Sequence, residues 1–491
     1  MADIDPFATA TALAAALRAG TVTAAALTEL YIRRIERHDR ALNAVVVRDF
    51  TRAREEAVGA DHARARGETR PLQGVPITLK ESINVTGLHT CCGVPDWKGF
   101  ISQHDAPAAT RTRAAGAVLL GKTNVPPMLA DWQSANPVYG KTGNPWDVGR
   151  TPGGSSGGSA AAIAAGLSAL EVGSDIGGSI RVPAAFCGVY GHRPSETLLP
   201  RSGQFPIPPL PNSAVVMGVQ GPLARSAEDL ELALSVLAGP EVGEDVAWRV
   251  TLPAARRGRL ADFRVAVMPS IPWLAVDDQI TAALADLTGR LARMGAVVKE
   301  MQPEGLGDHR EYHAFYRTLL SAVTGARVDE ETRRKRIEVF KKAGDEFSLG
   351  AARGLEGSAG DYLVWNGRRE QHRAAWRAFF REWDVLLAPA INVLAYPHIE
   401  RAWPFDDSDQ TLTLTVNGRA EPYLHGLVYP ALSTVPGQPA TAIPVGISRE
   451  GLPVGLQVIG PYLEDLTPIR FAALLAREIG GFRRPSGYDP S

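Results

Sequence analysis

The chain has 491 residues, 45% of them apolar and 21% charged, with a formal net charge of −1. That is ordinary globular composition, enough to fill a large core, and it lacks the basic excess that a nucleic-acid or anionic-membrane partner would need. Its three cysteines, Cys91, Cys92 and Cys187, make neither a disulfide framework nor a zinc-ligand spacing.

Cys91 and Cys92 read as buried or half-buried thiols of a reducing compartment. Asp3 and Asp5 stand where a signal peptide would carry basic residues, so no secretory signal is expected. The most apolar stretch, 160–170, is too short and too rich in small residues to span a bilayer. The expectation is a cytoplasmic enzyme with no membrane and no nucleic-acid partner.

Residues 1–66 predict helices. Thr9 to Ala19 is stopped by Gly20, Thr23 caps a second helix from Ala24 to His38, and a third runs from Phe50 to Arg66. From Gly74 the texture becomes strand-like: 75–80 ends on Lys80, and 117–120 is a second strand. A turn-rich stretch, 140–158, leads into an Ala-rich helix expected from Ser159 to Gly166. Leu170 then opens a strand running toward Asp175. Further on, Arg264 to Met268, Asp278 to Met294 and Ala296 to Glu300 form a strand–helix–strand unit. Residues 311–383 read as a charged helical cover. Strands at 385–389 and 452–459 and a helix over 468–479 complete a C-terminal part, 384–480. Strands alternating with helices along the whole chain predict an α/β fold with helices on both faces of a sheet.

Three segments carry chemistry. Pro152-Gly153-Gly154-Ser155-Ser156-Gly157-Gly158-Ser159 could be a flexible linker, but it lies between a turn-rich stretch and an immediate helix. A second Gly-Gly-Ser follows within Asp175-Ile176-Gly177-Gly178-Ser179-Ile180-Arg181, between a strand and a helix, where backbone N–H groups can form an anion-binding nest. Alone, that turn would be an ordinary strand-to-helix connection. The third is Gly74-Val75-Pro76-Ile77-Thr78-Leu79-Lys80. A strand-end lysine is usually a solvated charge. To be a neutral base near pH 7 it needs burial worth about 4 kcal/mol. Glu81, the next strand residue, should point to the opposite face.

At these segments, which follow one another along the chain as lysine strand, Gly-Gly-Ser-Ser-Gly-Gly loop and Asp-Ile-Gly-Gly-Ser-Ile-Arg turn, the sequence resembles the amidase-signature family. The likeness continues through Asn144-Pro145-Trp146-Asp147, 185–191, 221–226 and 451–457, covers nearly the full chain, and is weakest at 240–380 and 390–425. The resemblance implies a single domain over 1–491, built on a large mixed twisted sheet with helices on both faces and with its core motifs within 70–235. It implies an amidohydrolase with a Ser–Ser–Lys triad: Ser179 the nucleophile that forms an acyl-enzyme, Ser155 the proton carrier after a cis Gly154–Ser155 bond, and Lys80 the base. It also implies an oxyanion hole from the N–H groups of Ile176, Gly177, Gly178 and Ser179, braced by Asp175 and Arg181. No metal or cofactor is implied, the substrate is a small-molecule amide, and a homodimer is compatible with the resemblance.

Rival readings are weaker. A Ser–His–Asp hydrolase could draw on His89, His104 or His192, but no Gly-x-Ser-x-Gly elbow is present. His309 and His313 have metal-pair spacing without the zinc-hydrolase order and read as a solvated helix face. The proline run 206–211 reads as a rigid loop near the site rather than a partner motif. A non-catalytic interaction protein on this fold is disfavoured because all three triad positions are intact. The amidase component of a tRNA-dependent amidotransferase is the nearer alternative. His192-Arg193-Pro194-Ser195-Glu196 and 216–222 depart from that component's usual pattern and favour a free-standing amidase. Met128, Leu129, Asp131, Trp132 and Phe205, with Tyr316 and Leu320 from the cover, are the expected acyl-pocket residues and suggest a hydrophobic or aryl group.

Overall fold

A computed structural model describes residues 4–206, 216–326, 328–401 and 411–489. Its N-terminal helices form where capping chemistry allows. Thr9 and Thr23 accept the N–H groups of Ala12 and Ala26, and Gly20 ends the first helix with φ 72°. The second helix runs on to Leu42, past the expected stop at His38. Leu42 is buried, and the buried Asp39 carboxylate accepts the Ala44 N–H that follows.

The main sheet has eleven strands, numbered here in chain order: β1 Val45–Arg48, β2 Pro76–Lys80, β3 Val118–Thr123, β4 Leu170–Asp175, β5 Tyr190–Arg193, β6 Val219–Ala224, β7 Arg264–Val267, β8 Val297–Glu300, β9 Val385–Pro389, β10 Ala440–Ile447 and β11 Pro453–Ile459. Their spatial order is β1-β3-β2-β4-β6-β5-β10-β11-β9-β7-β8. Pairs β2–β3, β2–β4, β7–β8 and β7–β9 are parallel and the rest antiparallel, so the sheet is mixed, as expected. β1, β5, β6 and β10 were not legible as strands. β2 and β4 are buried at every position, polar ones included, and the Thr78 hydroxyl of β2 donates to the Glu171 carboxylate of β4.

The helix Gly157–Ala164 begins two residues earlier than Ser159 and is wholly buried. A Cβ at Gly158 would lie 2.4 Å from the Asn124 nitrogen, so only glycine lets this turn approach β3 so closely. The predicted cover consists of helices His309–Gly325, Glu330–Ala343, Glu346–Glu356 and Ala359–Phe379. It closes over an aromatic cluster that includes Trp132, Tyr316, Trp376 and Tyr423. Among the described residues, no helix is long and apolar enough to cross a membrane.

Candidate active site

Lys80 is the last residue of β2 and Asp175 the last of β4, its parallel neighbour. The carboxyl ends of parallel strands are where open α/β sheets present their sites. Lys80 is fully buried. Its Nζ lies 2.7 Å from Ser155 Oγ, 2.9 Å from Ser156 Oγ and 3.0 Å from Ser174 Oγ. Burial pulls its pKa down to about 7, against the smaller pull of Asp175, Cys92 and Glu171 in the other direction. An amine of that kind beside a hydroxyl can take its proton. Glu81 does face away: its carboxylate accepts the Cys91 and Cys92 N–H groups at 2.6 and 2.9 Å and the Tyr139 hydroxyl at 3.1 Å.

Ser155 follows Gly154 through a cis peptide bond. The Ser156 N–H donates to the Ser179 carbonyl at 3.1 Å, which draws the two Gly-Gly-Ser segments together. Ser155 and Ser179 are 1% and 7% exposed. Among the described residues no hydrogen bond joins their hydroxyls.

The peptides from 175 to 180 are each held. Asp175 O accepts from Arg193 Nη1 (3.0 Å), Ile176 O from Tyr316 Oη (2.9 Å), Gly177 O from Trp132 Nε1 (3.1 Å) and Gly178 O from the Val182 N–H (2.7 Å). On the donor side, the Asp175 carboxylate takes the Gly178 N–H at 3.0 Å and the Ile180 N–H at 3.2 Å. Among the described residues the N–H groups of Ile176, Gly177 and Ser179 have no hydrogen-bond acceptor, whereas that of Gly178, expected as a fourth donor, is engaged with Asp175. Gly178 has φ +91°, and a Cβ there would sit 2.8 Å from Val182 Cγ2.

Asp175 and Arg181 form a two-pronged ion pair, both contacts 2.9 Å, with neither side chain exposed. Burial pushes the Asp175 carboxyl up. The Arg181 and Arg193 charges and the Gly178 N–H outweigh it and hold the group well below the usual carboxylate range.

The expected pocket residues fall into two sets. Met128, Leu129 and Phe205 are half-buried at positive φ (54°, 60° and 69°). Trp132 is buried with its indole on the Gly177 carbonyl. Asp131 Oδ1 accepts the Trp132 N–H and Arg401 Nη1, both at 2.7 Å, and the Tyr423 hydroxyl. Its carboxylate thus ties the 131–132 turn to the C-terminal part. Of the proline run 206–211, only Pro206 lies within the described residues.

The histidines behave differently from the expectation. His313 is buried against Phe347 (ring centroids 4.6 Å) rather than on a solvated face, because the neighbouring cover helix packs on it, and burial lowers its pKa. His309 meets Gln302 Oε1 at 2.7 Å. No group of three or more potential metal ligands occurs among the described residues. His192 is buried between Thr441 Oγ1 (2.9 Å) and Asp465 Oδ1 (3.1 Å), while Ser195 bonds Asp465 (Oγ to Oδ2, 2.6 Å) rather than the imidazole, so no Ser–His–Asp sequence forms around it among the described residues. Ser156, Ser174 and Arg193 were missed as site-shaping groups, and Tyr316, expected as a pocket residue, was missed only as the donor to Ile176 O. Ser156 and Ser174 were findable by their adjacency to the motifs, whereas Tyr316 lies in the stretch of weakest likeness.

The model of the family described as Amidase matches residues 26–467. The chain belongs to the amidase-signature family. It is an amidohydrolase by that membership. An indoleacetamide hydrolase of Bradyrhizobium diazoefficiens is 33% identical over 94% of this chain and 84% of its own length. A glutamyl-tRNA(Gln) amidotransferase component of Methylococcus capsulatus is 31% identical over 92% of this chain and 93% of its own length. The solved structure of a 6-aminohexanoate cyclic dimer hydrolase complexed with substrate matches with a TM-score of 0.78 and 27% identity, covering 99% of this chain and all of that one. The large mixed sheet is thus the amidase-signature fold.

Proposed function

We propose that this amidase is a free-standing, single-domain enzyme that hydrolyses small carboxamides with Ser179 as nucleophile, Ser155 as proton carrier and Lys80 as base. One observation carries the reading: a buried lysine with pKa about 7 lies 2.7 Å from the serine after the cis bond. As Ser179 attacks the amide carbonyl, Ser155 takes its proton and passes its own to neutral Lys80. The tetrahedral oxyanion is held by the N–H groups of Ile176, Gly177 and Ser179. The relay then returns a proton to the leaving amine or ammonia as the C–N bond breaks, leaving an ester on Ser179. Water repeats the attack, and the acid leaves. A serine is a weak nucleophile until a base reaches it, so Lys80 governs the first step.

Half-buried Met128, Leu129 and Phe205 favour an apolar or aryl acyl group, in keeping with the indole acid amide named for one relative. The amidotransferase reading is supported by a relative of that name. It is disfavoured by the segment His192–Glu196, whose side chains are tied to Asp465 and Arg369 in place of the sequence usual in that enzyme's amidase component. Ser179→Ala should abolish both turnover and labelling by a fluorophosphonate while the protein stays folded. Undiminished hydrolysis by this variant would refute the assignment. The purified chain, alone, should cleave members of a panel of p-nitroanilides, aryl amides and primary amides; activity only with partner proteins would favour the amidotransferase reading.

A further inference from the structure

We propose that Tyr316 is a positioning residue for catalysis, fixing the peptide whose N–H is the Gly177 arm of the oxyanion hole. This rests on the reading of Ser179 as nucleophile. In a trans peptide the C=O and the N–H point in opposite directions, so whatever holds the carbonyl aims the N–H. The Ile176–Gly177 carbonyl is held by the Tyr316 hydroxyl at 2.9 Å. Tyr316 is fully buried, and burial raises its pKa far above neutrality, so the phenol stays a donor.

The other two free donors are aimed from inside the central fold. Arg193 of β5 holds Asp175 O behind the Ile176 N–H, and the Val182 N–H, in the helix Arg181–Cys187, holds Gly178 O behind the Ser179 N–H. Only the Gly177 peptide is aimed from the helical cover, through the helix His309–Gly325. Contact on its flank is close: a Cβ at Gly177 would lie 3.2 Å from Tyr316 Oη and 3.0 Å from Leu427 Cδ2. Without the hydroxyl, the Ile176 carbonyl loses its anchor and the peptide can rotate its N–H away from the developing charge. The ground-state carbonyl needs that donor less than the oxyanion does, so the loss falls on the chemical step.

The test compares wild type, Tyr316→Phe, Tyr312→Phe and Ser179→Ala with a p-nitroanilide that the enzyme cleaves and the boronic acid matching its acyl group. Tyr312 is the control: it sits one turn earlier on the same helix, buried, its hydroxyl donating to Leu432 O at 3.2 Å, away from the site. For Tyr316→Phe, kcat should fall about 10- to 100-fold, somewhat less than deletion of an oxyanion donor, with KM nearly unchanged. Boronic-acid affinity should weaken by the same factor, whereas binding of the uncleaved anilide to Ser179→Ala should not change when Tyr316→Phe is added. Tyr316→Met, which also lacks the hydroxyl, gives the same readout if the Phe variant does not fold. An unchanged kcat, a loss carried by KM, or an equal loss in Tyr312→Phe overturns the proposal and leaves the nucleophile assignment standing. Persistent hydrolysis by Ser179→Ala overturns both.

Discussion

Acidification is the most direct probe of Lys80. Its pKa falls from 10.5 to about 7, a difference worth about 5 kcal/mol against the charged form. The hydroxyls of Ser155, Ser156 and Ser174 surround the amine, and the nearby Asp175 charge is already matched by Arg181. If the neutral amine is the active form, kcat/KM for an uncharged amide should follow its neutral fraction. Relative to the alkaline plateau, the rate should be about half at pH 7, about one eleventh at pH 6 and about one hundredth at pH 5. Loss of fold does not mimic this limb through Lys80. Its folded pKa lies below the unfolded value, so the stability linked to it rises between about pH 7 and 10.5 and is level below 7, where both states are protonated. Asp175, whose folded pKa is depressed, keeps its contribution above the ordinary carboxylate pKa and loses it as pH falls from there toward the folded value. The assay is kcat/KM at constant ionic strength with circular dichroism in parallel. A profile that stays level down to pH 5, or a Lys80→Ala enzyme with the same rate and limb, would show that another group supplies the base.

Two further outcomes follow from packing. Arg181→Met leaves the buried Asp175 with Arg193 as its remaining cation and removes bonds to Ser433 Oγ and Gln457 Oε1, both 2.8 Å. Urea unfolding should register a loss of about 3–5 kcal/mol, and a change below about 1 kcal/mol would contradict the bracing role. Gly178→Ala places a Cβ at φ +91°, 2.8 Å from Val182 Cγ2 and 2.9 Å from Pro430 Cγ. It should cost about 1–3 kcal/mol and depress kcat together with the melting temperature, and an active, equally stable variant would show that the loop relaxes freely.

The legible parts of this fold are those whose local chemistry agrees with their tertiary setting. The capped N-terminal helices could be read from Thr9, Thr23 and Gly20, and β2, β4, β9 and β11 from short runs led by apolar residues and bounded by turn residues. β5, with its sequence Tyr-Gly-His-Arg, could not, because its polar side chains are buried through distant partners: Thr441 and Asp465 for His192, Asp175 O and Met217 O for Arg193. In the site, the lysine and the two Gly-Gly-Ser segments were visible because each needs an unusual backbone or an unusual residue at a strand end. Tyr316 was legible only as an aromatic pocket residue, since nothing local says that its hydroxyl reaches Ile176 O. The Gly178 N–H was misread for a related reason: nothing local says that the Asp175 carboxylate folds back to claim it.

The ring of oxygens about Lys80 suits either protonation state. A charged amine has three protons to place, and three serine hydroxyls lie within 3.0 Å to receive them. A neutral one keeps two for Ser156 and Ser174 and turns its lone pair to Ser155, each hydroxyl needing only to spin about its own C–O bond. In the proposed cycle the step between Ser155 and Lys80 therefore needs only hydroxyl rotation, so little barrier is added by rearrangement around the base.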